Sequence, residues 1–278
     1  MNPFRILSLT LGFFLLSGAV TAQGTPPPGH GIPLALRSMS AQTGGAAVAD
    51  VTLVGTISLP GGATPVSGAI TLRATADGQS QVTMALPTGQ QTESLSYSRS
   101  SHTGTWTGPD GSSHNFDILN LLGPHPAWFY PLFAMQSGFM STQYGSGDEG
   151  PATWNGAAVE HLLVFRTPSS QRFSHLPPNK FLRQMTQHDI YVDSSTLLPV
   201  AMTFNVHLTA SAPSQLFVPA GTPSGDYLEE VRYSDYQQVQ GYPVAFHIQV
   251  YFNSALAGDI ELASATFNTG AAIAAGSN

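Results

Sequence analysis

The sequence predicts a mainly β protein with about ten or eleven antiparallel strands and a short helical insert near residues 115–138. Apolar and polar residues alternate with a period of two through most of residues 50–267, as expected for half-buried strands. Turn signals such as Asp77-Gly78 and Gln240-Gly241 separate the alternating segments. Only 9% of the 278 residues are charged, and the chain has 28 Gly and 21 Pro, a composition that argues against a long helical bundle.

The alternation predicts one consistently apolar and one consistently polar face of the sheet. In the segment 198–208, for example, Met202 and Phe204 share the apolar face while Thr203 and His207 lie on the other. The apolar face must be covered, either by the sheet folding on itself as a barrel or sandwich, or by the 115–138 insert. The predicted strands are 50–59, 69–76, 82–86, 93–100, 103–107, 157–165, 190–192, 198–208, 228–239, 244–253 and 260–267.

The 115–138 insert holds the densest aromatic cluster of the sequence. We predict a short helix from Asp117, a stop at Gly123-Pro124-His125-Pro126, and a second short helix from Ala127. Residues 143–155 are predicted to be a Gly-rich loop and residues 168–181 a polar loop.

The first 22 residues have the pattern of a cleavable signal peptide. Arg5 precedes an apolar run of roughly 11 residues, and Val20-Thr21-Ala22 offers small residues for cleavage. The run is shorter than the roughly 20 residues of a membrane-spanning helix, so no span is expected after cleavage. A periplasmic or secreted protein is therefore predicted, with no lipid anchor because the chain has no cysteine. The predicted divisions are a flexible Pro/Gly/Ala-rich leader at 23–45, a single β-rich domain at 46–270 and a flexible tail at 271–278.

Two hairpin-forming stretches resemble a known family. They are Ile190-Tyr191-Val192-Asp193 with 196–200, and 231–236 with Val239-Gln240-Gly241, Pro243 and Phe246-His247-Ile248. Over roughly 80 residues, 189–269, the sequence is similar to the extracytoplasmic lipoprotein-carrier proteins, which sort outer-membrane lipoproteins. The resemblance implies a single, strongly curved antiparallel half-barrel, closed by short helices over an apolar concave face that binds acyl chains or other hydrophobic ligands.

This resemblance, the apolar strand faces and the aromatic insert together predict an exported protein that binds or carries a lipid or lipoprotein acyl chain in an apolar concave cavity. The predicted partners are a hydrophobic small molecule or lipid, with a lipoprotein or a membrane as a further possibility. One alternative is a secreted β-rich structural or adhesion module without a cavity; another is a hydrolase that uses polar-face His and Asp residues. The candidate ligand-binding residues are Leu122, Trp128, Phe129, Phe133, Phe139, Phe204, Phe246 and Ile248.

Sequence signals for enzymes and for nucleic-acid binding are absent. No G-x-S-x-G, H-E-x-x-H, P-loop or dinucleotide fingerprint occurs, and no Cys can act as a nucleophile. The formal net charge of −7 disfavours a nucleic-acid partner. His207 and His247 lie on polar strand faces and would hold a metal only with a third ligand, for which no residue lies at a suggestive spacing. We therefore predict a non-enzyme with no catalytic residue, metal or cofactor.

Overall fold

The strands form one antiparallel sheet of 13 strands in the computed structural model, which describes residues 31–60, 64–98, 101–123, 125–139, 144–166, 179–209, 216–270 and 273. The elements are α1 (Ile32–Thr43), β1 (Asp50–Leu59), β2 (Val66–Thr75), β3 (Gln79–Leu86), β4 (Gly89–Tyr97), β5 (His102–Thr107), β6 (Ser113–Asn115), α2 (Pro131–Phe139), β7 (Tyr144–Trp154), β8 (Ala157–Arg166), α3 (Asn179–Thr186), β9 (His188–Asp193), β10 (Pro199–Leu208), β11 (Gly225–Val239), β12 (Tyr242–Phe252) and β13 (Ala255–Phe267).

The sheet consists of two meanders joined in its middle. Its order runs from β6 back to β1, then from β13 back to β7, so that the first strand pairs with the last. This pairing extends from Val51 opposite Phe267 to Ser58 opposite Asp259. The sheet is curved and does not close, which confirms the half-barrel.

The two ends of the sheet nevertheless approach each other. Arg166 of β8 contacts His102 of β5, and its Nε donates to the Tyr144 hydroxyl of β7 at 3.2 Å. Strands near opposite ends of the sheet order therefore meet through a polar cluster, and the intervening strands curve around an interior.

All eleven predicted strands are present, and the two additional strands are β6 and β7. The prediction of a loop at 143–155 was wrong, because β7 pairs with β8 from Tyr144 to Trp154. The glycine that precedes α1 approaches this strand closely. A Cβ placed on Gly31, which caps α1, would lie 2.4 Å from the carbonyl oxygen of Gly147 in β7.

Helices α1 and α2 lie on the concave side of the sheet. Helix α1 contacts both β12 and β7, which are far apart in the sheet order, and it also contacts α2. It occupies part of the 23–45 segment predicted as a flexible leader, and it buries Leu34, Ala35 and Met39. Helix α3 packs against β8 and β10. It begins at Asn179, inside the segment 168–181 predicted as a polar loop, and the rest of that segment lies outside the described residues.

Within the predicted insert, residues 117–123 form turns instead of a helix, and the helix there is α2. The predicted signal peptide and, apart from Ile273, the predicted tail lie outside the described residues. Among the helices of the described ranges, none is long and apolar enough to cross a membrane.

Candidate ligand-binding site

The concave face of the sheet is a continuous apolar surface built by the period-two alternation. In β12, for example, Phe246, Ile248 and Val250 are buried, whereas His247 and Gln249 between them are only half-buried. Strands of both meanders contribute to one buried cluster, which includes Leu53 and Leu72 as well as the β12 residues. The two halves of the chain therefore share a single apolar interior.

An aromatic segment fills the middle of this concave face. We call residues 127–139, which include α2, the cover segment. Trp128 and Phe129 are 3% and 2% exposed, and their rings meet edge to face with centroids 5.4 Å apart. Trp128 makes a second edge-to-face contact with Phe217 at 5.3 Å. Such pairs fix ring orientation as well as burying area.

Seven of the eight predicted ligand-binding residues lie in the same buried cluster. Leu122 is the exception, since it is half-buried in the turns of residues 117–123 and lies outside that cluster. The seven that the fold brings together are Trp128, Phe129, Phe133, Phe139, Phe204, Phe246 and Ile248.

Apolar packing dominates the attachment of the cover segment. Its described polar contacts with neighbouring elements include a hydrogen bond from the Tyr233 hydroxyl to the Trp128 carbonyl. Gln42 of α1 donates its Nε2 to the Met135 sulfur at 3.3 Å, and a thioether is a weak acceptor. The cover segment is therefore held chiefly by buried apolar area, which another apolar group is able to replace.

His125 links the two ends of the cover segment. Its Nδ1 accepts the Ala127 backbone N–H at 3.0 Å, which leaves the proton on Nε2. That Nε2 lies 2.7 Å from the Ser137 hydroxyl, which donates to the Ala134 carbonyl at 3.0 Å. Burial holds the pKa of His125 well below its usual value, so the imidazole is neutral at neutral pH.

Two further histidines lie near His125, where the ends of the sheet meet. The His188 ring is 6.3 Å from that of His125, and the Tyr97 ring stacks on His102 at 4.0 Å. Burial lowers the pKa of both His102 and His188 to about 4, and the Arg166 guanidinium contributes to each shift. This cluster is built to hold neutral imidazoles, and protonation there would be unfavourable.

Two carboxyl groups also face the apolar interior. Glu229 is 6% exposed and lies between Phe204 and Phe252 in the register of the sheet. Burial, with a contribution from the charge of Glu93, raises the pKa of Glu229 to about 8. Glu93 is half-buried beside Trp106, and burial raises its pKa to about 7. Within the described ranges, neither carboxyl has a hydrogen-bond or ion-pair partner.

An opening of about 410 Å³ lies between α3 and the edge of β10. Phe204, which is also part of the buried cluster, lines this opening. Asp189, Asn205 and Leu228 lie on the convex side of their strands, so the opening is on the convex face. The buried Phe204, 1% exposed, separates it from the apolar interior. Its lining residues are Arg183, Gln184, Gln187, Asp189, Phe204, Asn205 and Leu228.

The convex face carries the predicted polar histidines. His207 and His247 do not meet, because β11 lies between their strands β10 and β12. Each is instead paired with an aspartate of a neighbouring strand: His207 contacts Asp226, and His247 Nε2 lies 2.6 Å from Asp259. Pairing across adjacent strands depends on register, which the sequence alone did not supply.

Comparison with known proteins shows the fold. No protein-family model matches this sequence, and no curated protein matches it. Among solved structures, an outer membrane lipoprotein-sorting protein domain from Vibrio parahaemolyticus matches with a TM-score of 0.52 and 11% identity, over 87% of this chain and 93% of that one. The chain has the lipoprotein-sorting fold.

A second solved structure, a DUF1329 family protein from Desulfovibrio piger, matches with a TM-score of 0.53 at 11% identity, again over 87% of this chain and 93% of that one. The lipoprotein-sorting fold thus extends over both meanders, whereas the hairpin motifs predicted it from residues 189–269 alone. At this identity the likeness concerns the fold, and no residue role is transferred from either structure.

Proposed function

We propose that this chain is a non-enzymatic carrier that binds a lipid or lipoprotein acyl chain against the concave face of its sheet. The observation that carries the proposal is the covering of that face by one aromatic segment and short helices, rather than by a second sheet. The fold shared with a lipoprotein-sorting domain supports the same function. The predicted signal peptide supports action in the periplasm or outside the cell, with a lipoprotein or membrane as donor or acceptor.

In this proposal the acyl chain takes the place of part of the cover segment. Each buried methylene contributes about 0.8 kcal/mol, so the gain grows with the length of the acyl chain. The segment buries seven large apolar side chains, which are Trp128, Phe129, Tyr130, Leu132, Phe133, Met135 and Phe139. A long acyl chain therefore competes with more of this packing than a short one, and binding should weaken as the chain is shortened.

The test is to purify the full chain from a bacterial host, examine it by native mass spectrometry, and titrate it with a fluorescent fatty acid. We expect lipid-sized mass additions that organic solvent removes, and saturable 1:1 binding of the probe that weakens as the acyl chain is shortened. Tyr251→Ala, a half-buried position on the convex side of β12, is the matched control and should bind equally well. The proposal would be refuted if mass spectrometry detects only ligand-free protein and the fluorescent fatty acid does not bind.

A second candidate is a β-rich structural or adhesion module. The observation that favours it is that the cover segment and the sheet already form one buried cluster without a ligand. This candidate predicts that the cover segment stays in place under all conditions and that no acyl chain binds. The same titration separates the two functions.

A further inference from the structure

Three potential metal ligands converge on the convex face, away from the apolar interior. His247 of β12 lies directly opposite Glu261 of β13, and Asp259 lies two residues from Glu261 on the same strand. The His247 Nε2 is 2.6 Å from an Asp259 carboxylate oxygen and 3.6 Å from a Glu261 oxygen. In the described part of the chain, His247 is the only ion-pair partner of either carboxylate, so no Lys or Arg neutralises them.

The ring of His247 is oriented from its other side. Its Nδ1 lies 3.2 Å from the hydroxyl of Ser234, which is directly opposite it on β11. Metal-binding histidines usually have such a partner on the second nitrogen, because it fixes the ring and its tautomer. Without a metal, the Nε2–H donates to the Asp259 carboxylate and Nδ1 accepts from Ser234. A cation that replaces this proton leaves the Nε2 lone pair as a ligand, and the Nδ1–H then donates to the Ser234 hydroxyl.

We propose that His247, Asp259 and Glu261 form a site for a divalent transition-metal ion, for which Zn²⁺ is the representative. Zinc bonds of about 2.1 Å at tetrahedral angles separate neighbouring ligand atoms by about 3.4 Å. The distances from the His247 Nε2 to the Asp259 and Glu261 oxygens, 2.6 and 3.6 Å, lie on either side of that value. Side-chain movements of less than about 1 Å therefore complete the geometry. Water supplies the fourth position, since the Glu261 side chain is 65% exposed.

The ligand types select the class of metal. An imidazole nitrogen favours zinc and its transition-metal neighbours over Mg²⁺ and Ca²⁺, which prefer oxygen ligands alone. The ligands lie on two paired strands in the middle of the sheet, so the backbone holds them in place before metal binds. The ion would join β12 to β13 on the convex face, and this role is independent of any ligand on the concave face.

The convex face also provides an internal comparison. His161 of β8 lies 2.8 Å from Asp189 of β9, with a similar burial of both side chains, but no second carboxylate converges on it in the described residues. Two ligands are fewer than zinc sites use. If a His–Asp pair alone were enough, both places would bind metal equally.

The experiment is isothermal titration of tag-free, metal-stripped full-length protein with Zn²⁺, with stoichiometry checked by native mass spectrometry. We expect one tight Zn²⁺ per chain. His247→Ala should weaken binding by more than about 100-fold and Ser234→Ala by about 10-fold, since loss of a second-shell partner typically costs 10–100-fold. His161→Ala should leave the tight site unchanged.

Circular dichroism of each variant verifies that the sheet is intact, and titration with Mg²⁺ tests the selectivity. Absence of Zn²⁺ binding would overturn the proposal, as would tight binding that persists in His247→Ala or disappears in His161→Ala. A metal site that survives while fatty acid fails to bind would refute the carrier function and leave this proposal standing.

Discussion

Replacing Phe129 with alanine is expected to tighten the binding of a long-chain fatty acid by at least about tenfold, even though it destabilises the protein. Phe129 is 2% exposed in the cover segment, and loss of such a side chain costs about 3–5 kcal/mol of packing. That loss falls on the state in which the cover segment occupies the concave face, and this state competes with ligand binding. Destabilising the packed cover segment by about 1.4 kcal/mol is enough for a tenfold gain in the apparent affinity for the ligand. Fatty-acid titration and urea unfolding measure the two effects.

Phe204→Ala is the matched control for this prediction. Phe204 is equally buried, at 1% exposure, but it belongs to β10 and forms part of the wall that the ligand would contact. Its loss should cost a similar free energy of unfolding and weaken ligand binding. Equal weakening of binding by both variants would show that the cover segment does not compete with the ligand.

Glu229→Gln is expected to stabilise the protein by a few kcal/mol at pH 8 and to have little effect near pH 4.5. The pKa of Glu229 is raised to about 8 by burial, so the folded state binds more protons than the unfolded state between about pH 4.5 and pH 8. Stability therefore falls as the pH rises through this window, at up to about 1.4 kcal/mol per unit. Glutamine has no proton to lose, which removes this dependence.

The buried histidines have the opposite effect on the pH dependence of stability. Their folded-state pKa values are lowered, to about 4 for His102 and His188, so stability is lost as the pH falls from about 6.5 toward 4. Glu93, whose pKa burial raises to about 7, acts in the same direction as Glu229, and His125, whose pKa burial lowers, acts with the other two histidines. Together these groups predict a stability maximum at about pH 6.5 for the native sequence.

Urea unfolding between pH 4 and 9 measures the profile, with Glu261→Gln in metal-free buffer as the exposed control. A native profile that stays level above pH 6.5, or one that Glu229→Gln leaves unchanged, would contradict this account.

The strands and their faces were predictable because the alternation is regular. The same rule would have found Glu229, since Tyr227, Val231 and Tyr233 occupy alternate positions of β11 and set the inward face. The same alternation places Leu228 on the outward face, where it is 44% exposed although its side chain is hydrophobic. Glu93 likewise shares the phase of Leu95 in β4. The position in the strand decides which way these side chains point.

The remaining features depend on contacts between distant parts of the chain. A glycine-rich strand such as β7 looks like a loop until Gly31 is seen packed against Gly147. The convergence of Asp259 and Glu261 on His247 depends on the register of β12 against β13, and no local pattern reports that register. Spacing along the chain gave no third ligand, because the ligands are neighbours across strands.

If a hydrophobic ligand displaces the cover segment, the surroundings of Trp128 must change, and the fluorescence of Trp128 reports that change. Trp106→Phe with Trp154→Phe leaves Trp128, which is 3% exposed, as the sole tryptophan. Saturating long-chain fatty acid should shift its emission to the red and increase quenching by acrylamide, with the same midpoint as ligand binding. Saturable binding that leaves the emission and quenching of Trp128 unchanged would show that the ligand does not displace the cover segment.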